Sequence, residues 1–205
     1  AATDIITRRV PGETCGEPHR KLEKVYSACL DMYNRDLEML TLVGSWARER
    51  HIQRGGLRFG KQTVSSVKGE SSHQEHPFLA LVTPEATQET GEVYAMNFVY
   101  SGNFMAQAEL TQFGQVRMTM GIHSDQFCWN LRPGESFQAP EAVLTYSAEG
   151  LGLMTRNFHD FYRGHLIRSP HQYAKRPVLI NNWEATYFDF DSEKLLEIAR
   201  EAKKA

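Results

Sequence analysis

Two short segments of the sequence combine a tryptophan with charged and polar side chains, a combination able to hold a sugar. Residues 44–51 place Trp46 beside Arg48, Glu49 and His51, directly after a strand-like run. The indole could stack on a sugar ring while the polar groups bond its hydroxyls. The segment could instead be a salt-bridged loop around a packed tryptophan, and composition alone favours this structural alternative.

Trp183 occupies the more suggestive position of the two tryptophans. It lies in residues 181–185, after the short apolar run of residues 178–180, which is typical of a strand buried on both faces of a parallel sheet. In α/β barrels the carboxyl ends of such strands carry the active site. An indole there could form a wall against the apolar face of a hexose, and a packed tryptophan is the alternative.

Other candidate groups indicate neither a metal nor a cofactor. His73 and His76 have no cysteine or third histidine nearby, so hydrogen-bonding loop histidines are favoured over a metal pair. Cys15 lies in a turn rich in glycine and proline, which predicts an ordinary exposed thiol. Residues 189–193 faintly resemble a calcium loop without its central glycine, and a helix N-cap at Asp191 explains them better. We expect no cofactor and no metal site.

Most of the chain before residue 150 has the pattern of β-strands. Polar and apolar residues alternate in several runs, as in strands with one buried face, and glycine-rich turns separate the runs. Many strands joined by short turns predict an antiparallel sandwich. The predicted strands are residues 4–10, 22–30, 37–43, 62–67, 78–82, 93–100, 106–112, 116–122 and 142–146.

The pattern changes at Gly150, where apolar residues begin to recur at helical spacing. A basic connector containing prolines follows, then the apolar strand at residues 178–180, a polar and aromatic loop, and a second helix that begins near Asp191. Strand, loop and helix together form the first unit of a parallel α/β domain, which cannot bury its own strand. We therefore expect a fragment with boundaries at 1–149, 150–176 and 177–205.

Composition excludes several classes of protein. The 205 residues carry 23 Lys and Arg against 25 Asp and Glu, a net charge of −2, so no general binding of nucleic acid is expected. Three widely spaced cysteines argue against a disulfide scaffold. No apolar run reaches about 18 residues, so no membrane partner is expected. The first ten residues lack the apolar core of a signal peptide, which predicts a cytoplasmic location.

Five longer motifs, in this order, resemble the bacterial and fungal α-galactosidases of glycoside hydrolase family 36. The resemblance runs from about residue 22 to residue 205. Its motifs are Gly-x-Trp-x-Arg-Glu-x-His at 44–51, Ser-Ser-His-Gln-x-x-Pro-Phe at 71–78, Tyr-Ser-Gly-Asn-Phe at 100–104, Pro-Gly-Glu-Ser-Phe at 133–137, and Arg-Pro-x-Leu-Ile-Asn-Asn-Trp-Glu-Ala-Thr-Tyr-Phe-Asp-Phe at 176–190. Residues 10–20 do not match the family.

The resemblance implies a mainly β fold. It comprises part of an antiparallel β-supersandwich at 1–149, a linker helix and connector at 150–176, and the first strand and helix of a truncated (β/α)8 catalytic barrel at 177–205. The same resemblance places the catalytic carboxylates on later barrel strands. It therefore assigns no catalytic residue to this chain, and the isolated chain is expected to be inactive.

The implied activity is retaining hydrolysis of terminal α-galactosides such as melibiose and raffinose. Trp183 and Trp46 match family tryptophans and are the expected substrate-binding residues. Full-length relatives are often homotetramers, so a homo-oligomer is expected. Three alternatives remain open: a galactosyl-transferring relative, an α-N-acetylgalactosaminidase on the same scaffold, or a non-catalytic sugar-binding β-sandwich module.

Overall fold

A computed structural model describes residues 4–8, 10–13 and 20–204. The chain divides into two compact units, the first ending at Gly164 and the second beginning at His165. The elements are β1 (Ile5–Arg8), β2 (Pro11–Glu13), β3 (Arg20–Leu22), β4 (Tyr26–Tyr33), β5 (Glu38–Ser45), β6 (Arg48–Gly56), β7 (Gly60–Ser66), β8 (Phe78–Val82), β9 (Val93–Val99), β10 (Phe104–Leu110), β11 (Gln115–Ile122), β12 (Trp129–Leu131), β13 (Ser136–Gln138), β14 (Glu141–Ser147), α1 (Gly150–Phe161), α2 (Trp183–Thr186) and α3 (Ser192–Lys204).

Antiparallel sheets build the first unit, which confirms the predicted fold class. One sheet has six strands in the order β1-β14-β9-β8-β5-β6, and a second has three in the order β10-β11-β4. Strand β7 lies next to β10. Two short ribbons pair β12 with β3 and β13 with β2. The second ribbon brings Pro11–Glu13 of the unfamiliar stretch against Ser136–Gln138, whereas Cys15 lies outside the described residues.

The core between the two larger sheets follows from the alternation in β11. Val116, Met118 and Met120 are fully buried and face apolar side chains of the six-stranded sheet, whereas Arg117 is exposed. Thr119 lies two residues from Arg117, on the same face of the strand, and is buried as well. The alternation therefore correctly predicts which face of β11 is turned to the core. The opposite face is also buried at Thr119.

Helix α1 covers the opposite face of the six-stranded sheet. Met154 and Phe158 are buried in a second apolar cluster, where the ring of Phe158 meets that of Phe78 edge to face at 6.1 Å. The first amides of the helix donate to carbonyl oxygens of the loop between β8 and β9, as in the 2.9 Å bond from Leu151 N to Thr87 O. The helix predicted from Gly150 is confirmed and belongs to the first unit; a π-helical turn, Tyr162–Leu166, follows it.

The second unit contains the two remaining helices, and the strand predicted at residues 178–180 is not formed. No described segment pairs with this run, and Val178 and Leu179 are 93% and 87% exposed. A strand needs a neighbour to complete its ladder of hydrogen bonds, so an unpaired run stays outside any sheet. Helix α3 begins immediately after Asp191, as predicted.

None of the helices among the described residues combines the length and apolarity needed to cross a membrane.

Candidate functional site

Trp46 lies at the tip of the hairpin formed by β5 and β6. Trp46 and Ala47 form the turn, and the indole is 79% exposed. Within the described residues, neither Arg48 nor Arg50 forms an ion pair. The structural alternative favoured by composition, a salt-bridged loop around a packed tryptophan, is therefore wrong.

Gly44 permits the close approach of the two strands below this turn. A Cβ atom added at Gly44 would lie 2.8 Å from Glu49 Cα and closer still to the carbonyl oxygen of Arg48. The register of the hairpin shifts between Val43 and Ser45, which is the signature of a bulge at this position. Only glycine fits between the two backbones, so Gly44 fixes the path by which the chain reaches Trp46.

Residues 71–77 run alongside β5, on the side opposite β6. Gly44 N donates to Gln74 O at 3.0 Å, and His76 N donates to Leu42 O at 3.0 Å. The Glu75 carboxylate in turn accepts from Ser65 N of β7 at 2.5 Å. Two motifs separated in the sequence are thereby brought together.

A cleft of about 600 Å³ opens where these two motifs meet, and we call it the hairpin cleft. Most of the residues that line it are polar or charged. Burial, with a smaller contribution from the positive charge of Arg50, lowers the pKa of His76, so this imidazole is neutral at pH 7. The lining residues include Glu49, Arg50, Ser71, Ser72, His73 and His76.

The metal pair considered for His73 and His76 gains no third ligand in the structure. Among the residues that the structure describes, no group of three or more His, Cys, Asp or Glu side chains is placed to hold a metal. His76 is held through its backbone, whose N donates to Leu42 O. The two imidazoles are therefore lining groups of the hairpin cleft, and sequence spacing gave no sign of that cleft.

Trp183 begins the single helical turn α2 in the second unit. Asn181 Oδ1 accepts from Trp183 N at 2.9 Å and fixes the start of the turn. The indole meets the ring of Phe188 edge to face at 4.8 Å and that of Tyr187 at 5.5 Å. Trp183 is 39% exposed, so its ring packs against neighbours and is still accessible. The structure is therefore compatible with both a packed tryptophan and a tryptophan that faces a sugar.

Asp191 caps α3, as its position in the sequence indicated. Its Oδ1 accepts from Lys194 N at 2.9 Å, the pairing of an N-cap with the third residue of a helix. Lys194 Nζ donates to the Asp189 carbonyl oxygen at 2.9 Å. A lysine ammonium bonded inside the supposed calcium loop opposes a cation there, so the capping interpretation is the one supported.

Replacing Asp191 with alanine should destabilise α3 by about 1 kcal/mol, because the loss of the capping carboxylate leaves the backbone amide of Lys194 without its acceptor. Amide hydrogen exchange along α3 should quicken by about fivefold, while exchange in β9 stays unchanged. Asp191→Ser, which retains a capping oxygen, is the matched control. Slower exchange on addition of calcium would contradict the capping interpretation.

Two family models match the chain. The glycosyl hydrolase family 36 N-terminal domain matches residues 1–132, and Melibiase matches residues 136–205. The first match includes residues 10–20, so the expectation that the family resemblance begins only near residue 22 is wrong. The chain belongs to glycoside hydrolase family 36.

Similar proteins extend the match over nearly the whole chain. α-Galactosidase AgaA of Geobacillus stearothermophilus is 48% identical and α-galactosidase 1 of Pediococcus pentosaceus is 42% identical, each over 97% of this chain. A crystal structure of AgaA superposes with a TM-score of 0.94 over 98% of this chain and 28% of its own. Another, of an AgaA variant, is in complex with raffinose. This chain spans about 27% of the length of the two α-galactosidases.

Proposed function

We propose that this chain is part of a longer α-galactosidase, a retaining glycoside hydrolase that removes terminal α-galactose from oligosaccharides such as melibiose and raffinose. The observation that carries the proposal is the 48% identity to an α-galactosidase across 97% of the chain. The complex of the related enzyme with raffinose supports the substrate class.

In this proposal, residues 177–205 open a (β/α)8 catalytic barrel, after a partial supersandwich at 1–149 and a linker at 150–176. The exposed run at residues 178–180 supports it, because Val178 and Leu179 have the apolar character of a barrel strand and lack the two neighbours and two covered faces that such a strand has. The match of the Melibiase family model to residues 136–205 supports it as well.

Trp183 has the role of an apolar wall for the terminal galactose. Its ring is oriented by Tyr187 and Phe188 and remains partly exposed, which suits contact with the C–H face of a hexose. Retaining hydrolysis also needs two carboxyl groups about 5–5.5 Å apart, one as nucleophile and one as acid and then base. Neither is assigned to this chain; Trp183 binds and orients the sugar, and Trp46 is a second sugar contact.

The direct test is hydrolysis of p-nitrophenyl α-galactoside by the full-length protein that contains this chain. We expect turnover that depends on the full-length protein, and no turnover by the 205-residue chain alone. Absence of turnover of any α-galactoside by the full-length protein would defeat the proposal.

Trp183→Ala in the full-length protein should raise KM for p-nitrophenyl α-galactoside about ten- to hundredfold, since the sugar loses an aromatic surface. Trp183→Phe, which keeps a smaller ring, should fall between wild type and alanine. Equal KM values for wild type and Trp183→Ala would remove Trp183 from the binding site.

The full-length protein is further proposed to be a cytoplasmic homotetramer. Light scattering coupled to size-exclusion chromatography measures the assembly, and cell fractionation measures the location. A monomer or an exported protein would contradict the respective part of this proposal.

A further inference from the structure

Thr186 is the one buried residue among the described residues 165–204 of the second unit. The aromatic residues next to it, Trp183, Tyr187 and Phe188, are all exposed. A hydroxyl that is taken out of water needs hydrogen-bond partners in the protein. The partners of the Thr186 hydroxyl therefore decide what its burial achieves.

Both hydrogen bonds of the Thr186 hydroxyl go to Asn182, the residue before Trp183. Thr186 Oγ1 donates to Asn182 O at 2.9 Å and accepts from Asn182 Nδ2 at 2.8 Å. Thr186 N donates to the same carbonyl oxygen at 3.0 Å. The two residues therefore join the ends of the single turn that carries Trp183, a turn too short to be stable through its backbone bonds alone.

The rings that contact the indole follow directly after this closed turn. The φ of Tyr187 is 47°, in the left-handed region, which is costly for a residue with a side chain and persists only where surrounding contacts hold it. Asp189 N donates to Thr186 O at 2.9 Å, so the chain folds back. The ring of Phe188 thereby lies perpendicular to that of Trp183, with the centroids 4.8 Å apart. The orientation of the indole depends on the turn that Thr186 closes.

We propose that Thr186 is a positioning residue for Trp183: through Asn182 it holds the indole in the orientation that the C–H face of the terminal galactose needs. This inference rests on the proposed function and deepens it. Contact between a sugar face and an aromatic ring depends on the plane of the ring, so an indole that tilts loses the contact without leaving the site. Thr186 itself touches no substrate and acts only through Trp183.

Thr186→Val in the full-length protein tests the proposal, because valine keeps the shape of threonine and lacks its hydroxyl. KM for p-nitrophenyl α-galactoside should rise about fivefold, as expected for one lost hydrogen bond. The kcat should change less than about twofold, because the ring contacts the bound substrate and the transition state alike. Thr186→Ser, which retains the hydroxyl, should keep KM within about twofold of wild type. A role in packing alone predicts the reverse order, since serine lacks the methyl group that valine keeps.

Fluorine NMR of the full-length protein labelled with fluorotryptophan reports the orientation of the ring without any substrate. The Trp183 resonance is identified by its absence in Trp183→Phe, and its position depends on the neighbouring rings of Tyr187 and Phe188. We expect it to shift in Thr186→Val and to stay at the wild-type position in Thr186→Ser. Thr119→Val is the matched control, because Thr119 is buried in β11 and its hydroxyl has no hydrogen-bond partner among the described residues. It should change neither the resonance nor KM.

An unshifted Trp183 resonance in Thr186→Val overturns the inference, as does a KM that Thr186→Val leaves unchanged or that Thr186→Ser raises more. These outcomes leave the proposed hydrolysis intact. If the full-length protein hydrolyses no α-galactoside, the proposed function fails by itself, and the fluorine resonance still decides whether Thr186 orients Trp183. A shift in Thr186→Val that is absent in Thr186→Ser supports the positioning role, and the same resonance position in both variants overturns it.

Discussion

Phe104→Ala is expected to lower the free energy of unfolding by about 3–5 kcal/mol, the range for deleting a buried aromatic ring. Phe104 is the first residue of β10 and has no exposed surface. It belongs to the apolar cluster between the two larger sheets, where fully buried neighbours such as Met96 and Met118 leave little room for collapse. The lost contacts and the remaining cavity both contribute to the cost.

Urea unfolding of the chain, followed by far-UV circular dichroism, measures this change. Phe113→Ala is the matched control, because Phe113 is 78% exposed and its removal should change stability by less than about 0.5 kcal/mol. Similar destabilisation by the two substitutions would refute the assignment of Phe104 to the core. Phe104 is the last residue of the motif at residues 100–104. A large loss of stability in Phe104→Ala would indicate that this residue of the motif serves packing rather than ligand binding.

The strands of the sandwich could be predicted where apolar residues are buried along them. Strand β8 has the predicted bounds, Phe78–Val82, because all five residues are buried and apolar. The run predicted at residues 22–30 is divided in the structure between β3 and β4. The nine-residue β6 was not predicted at all: as an edge strand it is exposed along most of its length, so its sequence shows no apolar alternation.

The candidate site could be predicted in its residue types and not in its geometry. Trp46 and Trp183 stand out by composition and by their positions after strand-like runs. The hairpin cleft depends on the pairing of residues 71–77 with β5, and this pairing involves polar residues without periodicity. The left-handed conformation of Arg50 has no sequence signal, because arginine is not a residue that favours it.

Gly44→Ala is expected to have a modest effect on stability and a large effect on the candidate site. The new methyl group would meet backbone atoms of Arg48 and Glu49 on one side and the carbonyl oxygen of His73, at 3.0 Å, on the other. Backbone atoms cannot rotate away as a side chain can, so the hairpin and residues 71–77 must move apart. Overpacking of this kind costs about 1–3 kcal/mol, and the shift displaces both Trp46 and the lining of the hairpin cleft.

In the full-length protein, Gly44→Ala should therefore lower the thermal midpoint modestly and lower kcat/KM for raffinose by tenfold or more. Gly55→Ala is the control, because Gly55 lies on the same hairpin and a Cβ there meets nothing within 4 Å. It should leave both quantities near their wild-type values. A Gly44→Ala enzyme that loses stability and retains its kcat/KM for raffinose would show that the hairpin position does not matter for substrate. Equal loss with Gly55→Ala would instead point to β6 as a whole rather than to the contact at Gly44.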